Sequence, residues 1–406
     1  MIFKVDSIPI DATQNSFEPL EIERRVVNYN DCSNRFYQVS RDFSKQYAHI
    51  YSARLNTFRN ILTPLIHKKW SQDCKILKLC DLREKSTTCV IIGTLFKLQE
   101  LKPSILKELS DQLEIIPQPA RTHFVHNADS IVLEDELQRI KLSGECINVH
   151  EVVTGVVCAL LVLISGLNMS SKSAEHMFAL QLFLEWLSGL SGTTQYQKEI
   201  SKIVRVIVAG KDSPFFKNNT DPVYSELVDN FTSAISAVAP LDLMPGCKDP
   251  AGVMLPQKPF HYCLFPKSIE YKSFNRVSNP YECDVEGFLC LGTSGEPIKD
   301  IKRYSKLDNN LEVLKRTLQW RHIAPTCPDT VPCTPCTDTD PFIIYNCPAV
   351  YFCGNSEEFA TGFYEGPNGQ RTRLVCVPDF CNTTTVALVN LLNLECYKPT
   401  NTIVDS

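Results

Sequence analysis

Two groups of residues in this 406-residue sequence have types and spacings that could do chemistry. Cys333-Thr-Pro-Cys336 has the spacing of half a structural zinc site, in which two close thiolate pairs hold a tetrahedral cation. No second close pair accompanies it, since Cys327, Cys347 and Cys353 stand singly. The pair also lies in the Pro-rich stretch 325–348 and not at a helix start, where a redox Cys-x-x-Cys would be activated. The second group is the set of loops that follow apolar, strand-like runs in the second half of the chain. Open α/β sheets gather ligands and catalysis at the carboxyl ends of their strands. A two-metal phosphoesterase would place Asp-x-His, Gly-Asp, Gly-Asn-His-Asp and Gly-His-x-His there, so that carboxylates and imidazoles hold two cations that activate water. Here the loops read Ser165-Gly166, Gly210-Lys211, Gly246-Cys247-Lys248-Asp249 and Gly354-Asn355. The glycines that shape such loops are present and nearly all the ligand types are absent. Lys211 and Lys248 bring positive charge to where cations would sit. Ser165, Gly166, Gly210, Lys211, Gly246, Lys248, Asp249, Gly354 and Asn355 are therefore expected to form degenerate, metal-free loops, with no catalytic residue and no cofactor.

The elements that must position these loops follow from periodicity. Continuous apolar runs at 161–164, 203–208 and 241–244 predict buried strands, as do 349–353 and 373–377. Met177, Leu180, Leu184 and Leu187 recur at helical spacing, as do Leu227, Phe231, Ile235 and Val238 between Pro222 and Pro240. Asp308 is expected to cap a helix through Leu311, Leu314 and Leu318, and a closing helix is expected around Thr384–Leu394. Alternating buried strands and helices predict an α/β layered domain over 161–396, followed by a tail at 397–406.

The first part of the chain has a different pattern. Residues 1–39 show no sustained period and are expected to be a weakly ordered tail. Ser40 is placed to cap an amphipathic helix carrying Phe43, Tyr47, Ile50, Tyr51, Leu55, Phe58 and Leu62, ending near Thr63-Pro64. Thr87–Leu98 reads as a strand bent at Gly93, and 103–113 as a short helix. Period alone leaves Ile131–Leu142 open as helix or strand, and 152–160 reads as a strand. Short strands with few helices predict a small β-barrel within 40–160.

Composition excludes several classes. Lys and Arg total 41 against 46 Asp and Glu, a net charge of −5, which opposes broad electrostatic capture of nucleic acid. A single-strand binder needs exposed aromatics along a basic groove, whereas those of 43–58 lie on an apolar helix face. The apolar run 156–164 falls short of the roughly 20 residues a membrane span requires. The N-terminus lacks the pattern of a secretory signal, and many of the 18 cysteines lie in apolar runs. Reduced thiols in the cytosol or nucleus are expected.

Ten collinear stretches between about residues 40 and 395 carry a resemblance. They are Phe43-Ser-Lys-Gln-Tyr-Ala-His-Ile-Tyr51, Val90-Ile-Ile-Gly-Thr-Leu-Phe96, Leu133-Glu-Asp-Glu-Leu-Gln-Arg-Ile-Lys141, Met244-Pro-Gly-Cys-Lys-Asp-Pro250 and Phe288-Leu-Cys-Leu-Gly-Thr-Ser-Gly295. Further on come Arg321-His-Ile-Ala-Pro-Thr326, Pro328-Asp-Thr330, Thr339-Asp-Pro-Phe342, Val350-Tyr-Phe-Cys-Gly-Asn355 and Val377-Pro-Asp-Phe380. Through them the chain resembles the B-subunit family of eukaryotic replicative DNA polymerases, and within it the small subunits of polymerase delta. The Gln-Tyr-Ala-His-Ile-Tyr and Glu-Asp-Glu-Leu-Gln-Arg stretches favour delta over the alpha and epsilon equivalents. The resemblance implies an oligonucleotide-binding (OB) barrel followed by an inactive calcineurin-like phosphoesterase α/β sandwich. It implies a nuclear, non-catalytic scaffold in DNA replication and repair, docked on the cysteine-rich C-terminal region of the catalytic subunit and holding further accessory subunits. DNA would be met indirectly, through the complex. An active metallophosphoesterase is the rival reading. One departure stands out: Val152-Val-Thr-Gly155 runs almost directly into Leu163-Ile-Ser-Gly-Leu167, where the family has further strands and a linker. A barrel truncated in this way is expected to stay open.

Overall fold

The computed structural model describes residues 24, 26–37, 44–70, 76–81, 90–99, 101, 123–135, 138–142, 165, 174–190, 197, 200–210, 222–247, 249–336, 338–366, 369–391 and 393–398. In chain order the N-terminal part contains β1 (Tyr29–Asp31), α1 (Ala48–Trp70), β2 (Ile76–Leu77), β3 (Val90–Ile91), β4 (Thr94–Leu98), β5 (Ser130–Glu134) and β6 (Arg139–Leu142). The remainder contains α2 (Ala174–Leu187), β7 (Val206–Ala209), α3 (Pro222–Val238), β8 (Leu241–Met244), β9 (Phe274–Arg276), β10 (Tyr281–Val285) and β11 (Phe288–Thr293). It continues through α4 (Glu296–Tyr304), α5 (Asn310–Gln319), β12 (Val350–Ser356), β13 (Ala360–Glu365), β14 (Arg371–Pro378), the single turn α6 (Phe380–Thr383), β15 (Leu388–Val389) and β16 (Cys396–Tyr397).

Two sheets face each other in the larger part. One has six strands in the order β1-β10-β11-β12-β14-β13, and the other has three, β7-β8-β9. Strands β11, β12 and β14 run parallel, as do β7, β8 and β9. The period-two alternation of side chains makes four layers out of them. On β12 and β14, Val350, Phe352, Val375 and Val377 point into the layer between the sheets. Their neighbours Tyr351, Cys353, Leu374 and Cys376 point to the other side, where Ile298 and Ile301 of α4 and Val313, Leu314 and Leu318 of α5 cover them. On the smaller sheet Ile207, Ala209 and Met244 face inward. Val208, Leu241 and Leu243 face Leu180, Phe183, Phe231 and Ile235 of α2 and α3. Sheets covered on both faces need apolar residues at every position, which explains the continuous apolar runs.

A buried carboxylate lies in this inter-sheet layer. Asp242 accepts hydrogen bonds from Arg205 (2.6 Å), Asn275 (2.9 Å) and the Tyr281 hydroxyl (2.7 Å). Burial pushes its carboxyl above the ordinary value, against the pull of Arg205. Tyr29 of β1 closes the cluster, with its hydroxyl 2.9 Å from that of Tyr281 and its ring under the Arg205 guanidinium.

The N-terminal part forms small sheets. Strands β2 and β3 pair in parallel, and β4-β5-β6 form an antiparallel sheet. No barrel closes among the described residues. This part is fastened to the larger one by buried cations. Arg54 of α1, 2% exposed, meets Asp340 at 2.6 Å and donates to the carbonyls of Pro325 (3.0 Å) and Cys327 (2.9 Å). His322 Nε2 lies 2.9 Å from the same Asp340 oxygen, and the Phe342 N–H donates to the other one. The side chain of Lys97 on β4 donates to the Tyr304 carbonyl at the end of α4, and Phe124 stacks on the Tyr304 ring.

Several expectations are corrected. Helix α1 starts at Ala48, not Ser40, and passes through Pro64 to Trp70. A helical proline costs about 3 kcal/mol. Here continuation buries Ile66 against Leu55 and Ile92, which offsets that cost. Residues 29–36, placed in the tail, instead supply an edge strand and a short turn with Phe36 buried. Arg24 also donates to the carbonyls of Leu187, Ile200 and Ile203. The strand read over 87–98 divides at Ile92-Gly93, because β3 and β4 join different sheets. Ile131–Leu142 is a hairpin, β5 and β6. Asn309, not Asp308, caps α5, accepting from the Leu311 N–H at 2.8 Å. The closing helix at Thr384–Leu394 does not form. Val386 and Leu388 pack towards the α2 and α3 helices while Ala387 and Val389 pack between the sheets, a period of two that only extended chain supplies. The predicted helix at 103–113 and the runs 152–160 and 161–164 lie outside the described residues.

Two measurements test the buried fastening. Arg54→Met leaves the buried Asp340 carboxylate without its guanidinium partner, held only by His322 and the Phe342 N–H, and should lower the unfolding free energy by about 3–5 kcal/mol in urea titration. The second is acid sensitivity. Burial, helped by Arg54, lowers the His322 imidazole from 6.5 to about 4, so the native state holds it neutral. Burial alone would raise Asp340, but Arg54 and His322 hold its carboxyl well below the usual range. Both folded values lie below the unfolded ones. The unfolded chain therefore binds more protons, and the contribution is present at neutral pH and lost as pH falls. The urea midpoint should drop between pH 7 and 5, and His322→Asn should flatten that part of the profile.

Candidate functional site

Both sets of parallel strands end at one rim, and the loops leaving them meet there. Ser165 bridges to Asp379, and its hydroxyl donates to the carbonyls of Val377 (3.1 Å) and Pro378 (3.0 Å) at the end of β14. The same oxygen accepts the Asn355 N–H at 2.6 Å. Asn355, at the end of β12 with a left-handed φ of 52°, directs its side-chain Nδ2 at the carbonyls of Gly210 (3.0 Å) and Ser294 (2.8 Å). One carboxamide thus ties together the loops after β7, β11 and β12. Two carbonyl acceptors fix its orientation, since only the amide nitrogen can donate to them. Its Oδ1 is buried with no hydrogen-bond partner.

Close approach of backbone fills the centre of the rim. A Cβ on Gly354 would lie 2.9 Å from the Ala209 carbonyl oxygen and 3.0 Å from the Ser165 Cβ. A Cβ on Gly210, whose φ is +36°, would lie 2.4 Å from Pro245 and Gly246 backbone atoms. The glycines therefore let the loops touch. Asp249 turns back on its own loop, where its carboxylate accepts the Gly246 N–H at 2.7 Å.

Of the residues expected at these loops, Ser165, Gly210, Gly246, Gly354 and Asn355 are brought together, with Asp249 beside them. Gly166, Lys211 and Lys248 lie outside the described residues. The Cys333/Cys336 pair stands apart from this rim. Cys333 is buried in the core beneath α4 and α5 with Cys327, while the Cys336 thiol donates to the Thr334 carbonyl. Among the described residues no group of three or more His, Cys, Asp or Glu side chains is arranged to hold a metal ion.

Sequence reasoning missed a second polar network beside the rim. The Asn279 amide donates to Gln257 Oε1 and Ser294 Oγ, both at 2.6 Å, and Ser294 Oγ donates to Glu296 at 2.6 Å. Gln257 in turn donates to the carbonyls of Gly246 (3.0 Å) and Gly252 (2.9 Å). The chain of donors joins the loop after β8 to the start of α4. The one local signal for it is Ser294-Gly-Glu-Pro297, a turn that ends with proline in the first turn of a helix. What the whole rim offers chemically is donors spent on carbonyls. Among the described residues, such an arrangement holds loops in place.

Comparison with known proteins sets this geometry in a lineage. Residues 46–165 match the family model described as DNA polymerase delta subunit OB-fold domain, and residues 161–361 match that of the DNA polymerase alpha/epsilon B-subunit. DNA polymerase delta subunit 2 of Drosophila melanogaster is 40% identical, with 92% of this chain and 97% of that protein covered. The DNA polymerase delta small subunit of Arabidopsis thaliana is 36% identical over 92% and 96%, and that of Saccharomyces cerevisiae 29% over 87% and 89%. With that identity over nearly the whole of its relatives, the chain belongs to the DNA polymerase delta small-subunit family.

Proposed function

We propose that the chain is the non-catalytic accessory subunit of DNA polymerase delta. In that role it is a nuclear scaffold for DNA replication and repair, joining the catalytic subunit to the remaining accessory subunits. The observation that carries this reading is the 40% identity to a delta subunit over 97% of that protein's length. The cysteine-rich C-terminal region of the catalytic subunit is the proposed docking partner. DNA is met mainly through the complex, in keeping with a net charge of −5.

Residues 161–396 are read as an inactive calcineurin-like phosphoesterase sandwich. Two facing sheets with helices outside, and loops gathered at the carboxyl ends of parallel strands, support that reading. Ser165, Gly166, Gly210, Lys211, Gly246, Lys248, Asp249, Gly354 and Asn355 are its degenerate, metal-free loops. Asn355 spends its amide on two carbonyls, and Gly210 and Gly354 bring backbone into the space that ligand side chains would need.

Residues 40–160 are read as a truncated OB unit. The two family models overlap at 161–165, which leaves no room for a linker between them. The alignment to the Drosophila protein runs over 424 positions, more than the 406 residues of this chain, so the relative carries stretches that this chain lacks. Both facts support a shortened segment near 155–165.

Purified chain incubated with manganese or iron should retain no stoichiometric metal by elemental analysis, and should not hydrolyse bis(p-nitrophenyl) phosphate above background. A chelator-sensitive turnover would install the metallophosphoesterase reading instead. Affinity capture of the tagged chain from nuclear extract should retrieve the delta catalytic subunit. Capture of the alpha or epsilon catalytic subunit in its place would reassign the scaffold.

A further inference from the structure

The stretch that leads into β9 sorts its aromatic residues by type. Phe260, Phe265 and Phe274 are buried and pack against one another, with ring centroids 5.7 and 5.2 Å apart, in the layer they share with Phe231 and Ile235 of α3. Tyr262 and Tyr271 stand out in solvent instead, 55% and 39% exposed, and Ile269 stands with them. The imidazole of His261 lies beside the Tyr262 ring, centroids 4.4 Å apart. The backbone that carries these side chains is fixed. It forms two short turns, Tyr262–Leu264 and Ser268–Glu270. The buried Asp229 carboxylate of α3 accepts the N–H groups of Lys267 (2.8 Å) and Ser268 (2.9 Å) and the Ser268 hydroxyl (2.7 Å). Rings presented on a backbone already ordered cost little more to immobilise on binding.

Charge on this stretch runs against that of the whole chain. From Gln257 to Arg276 lie Lys258, Lys267, Lys272 and Arg276 against the single carboxylate of Glu270, in a chain of net charge −5. The three lysines are exposed. Lys267 is steered by Glu226 (3.2 Å) and Asn230 (2.7 Å) of α3, while Arg276 is spent on the Phe260 carbonyl (2.6 Å). The stretch follows the outer side of β9, an edge strand among the described residues. Gln257 pairs with Asn279 beyond the carboxyl end of β9, and the Phe274 N–H donates to the Tyr271 carbonyl at its start. At ~3.3 Å per residue, positions 274–279 space the two ends of this stripe about 16 Å apart.

We propose that this flank is a contact for single-stranded DNA. Exposed rings interleaved with cations are what sequence-tolerant binding of single strands requires, since bases stack on the rings and phosphates meet the ammonium groups. The aromatics of 43–58 do not meet that requirement, and those of 258–272 do. Tyr262 and Tyr271 take bases, and Lys258, Lys267 and Lys272 take phosphates. Lysine is depleted in protein–protein interfaces, so three of them among the rings favour nucleic acid over a protein on this surface. The choice of DNA rests on membership of a DNA polymerase subunit family. The contact is short, and it supplements the DNA met through the complex.

The test titrates the full chain into a fluorescein-labelled oligo(dT) of about 20 nucleotides and follows anisotropy. With three phosphates contacted, log K should fall with log salt at a slope of about −2, a loss of roughly 20-fold between about 50 and 200 mM salt. Tyr262→Ala and Tyr271→Ala should each weaken binding about fivefold or more. Joint Lys258→Ala and Lys272→Ala should bring the slope to about −0.7. A duplex of the same length, whose bases stay stacked inside, should bind more weakly than the single strand. All four positions are exposed, so the urea midpoints of the variants should match wild type. Wild-type chain that shows no salt-dependent binding overturns the proposal, as does binding that these substitutions leave unchanged. Capture of the delta catalytic subunit from nuclear extract should be the same for either tyrosine variant as for wild type. Capture lost in those variants alone would make the flank a protein-docking surface, overturning the DNA contact while the scaffold reading stands.

Discussion

Everything in the larger part of this protein follows from sheets that are buried on both faces. A strand covered by helices on one side and by a second sheet on the other has no polar positions to spare. Strands β12 and β14 meet this with Val350, Phe352, Val375 and Val377 on one side and Tyr351, Cys353, Leu374 and Cys376 on the other. A buried carboxylate there is held by several donors, as with Asp242 between Arg205, Asn275 and Tyr281. The remaining hydrogen-bonding capacity of the chain is displaced to the rims. Because the parallel strands end on the same rim, the loops after β7, β8, β11, β12 and β14 converge there.

Among the described residues, that convergence holds the loops to one another. In a working strand-end site, side chains project into a shared space and leave atoms free for a ligand. Here Ser165 and Asn355 spend their donors on the carbonyls of neighbouring loops, as does Gln257, while Asn279 donates to the side chains of Gln257 and Ser294 and Ser294 donates to Glu296. The described loops of the rim are thus tied to one another by hydrogen bonds.

The N-terminal part is joined to this body by cations that reach out of small sheets and a helix. Arg54 satisfies two carbonyls of the 321–344 loop as well as Asp340, and Lys97 satisfies the last carbonyl of α4. A pair such as Arg54 and Asp340 adds little net stability, because desolvation takes back most of what attraction supplies. Its effect is geometric. A buried guanidinium tolerates one arrangement of acceptors, so α1 and the Pro-rich loop have one way to meet. The described strands of the N-terminal part are thus held against the larger body at fixed points.

A mixed α/β arrangement, the helices 174–187 and 222–238, the strand at 241–244 and the strand-end positions of Gly210, Gly246 and Gly354 were legible from the sequence. Each rests on a local or near-local rule: period, a proline at a helix start, a glycine after an apolar run. Family membership was legible for a different reason, since ten collinear stretches survive as strings whatever the chain does in space. The failures have the opposite character. Tyr29–Asp31 is a strand only because β10 offers it an edge, and nothing in its own composition announces this. Helix α1 passes Pro64 because Ile66 has a cluster to enter, and 386–389 extends because two different layers draw on alternate residues. Asn279 became the partner of both Gln257 and Ser294, which lie on different loops. Local propensity is a matter of tenths of a kcal/mol for most residues, while burial of one large side chain is worth about 1.5–3 kcal/mol. The sequence by itself determined the elements whose partners lie within a turn or a strand of them. Only the tertiary structure decided which edges were completed and where each polar side chain found its acceptor, because those energies exist only after distant segments have met.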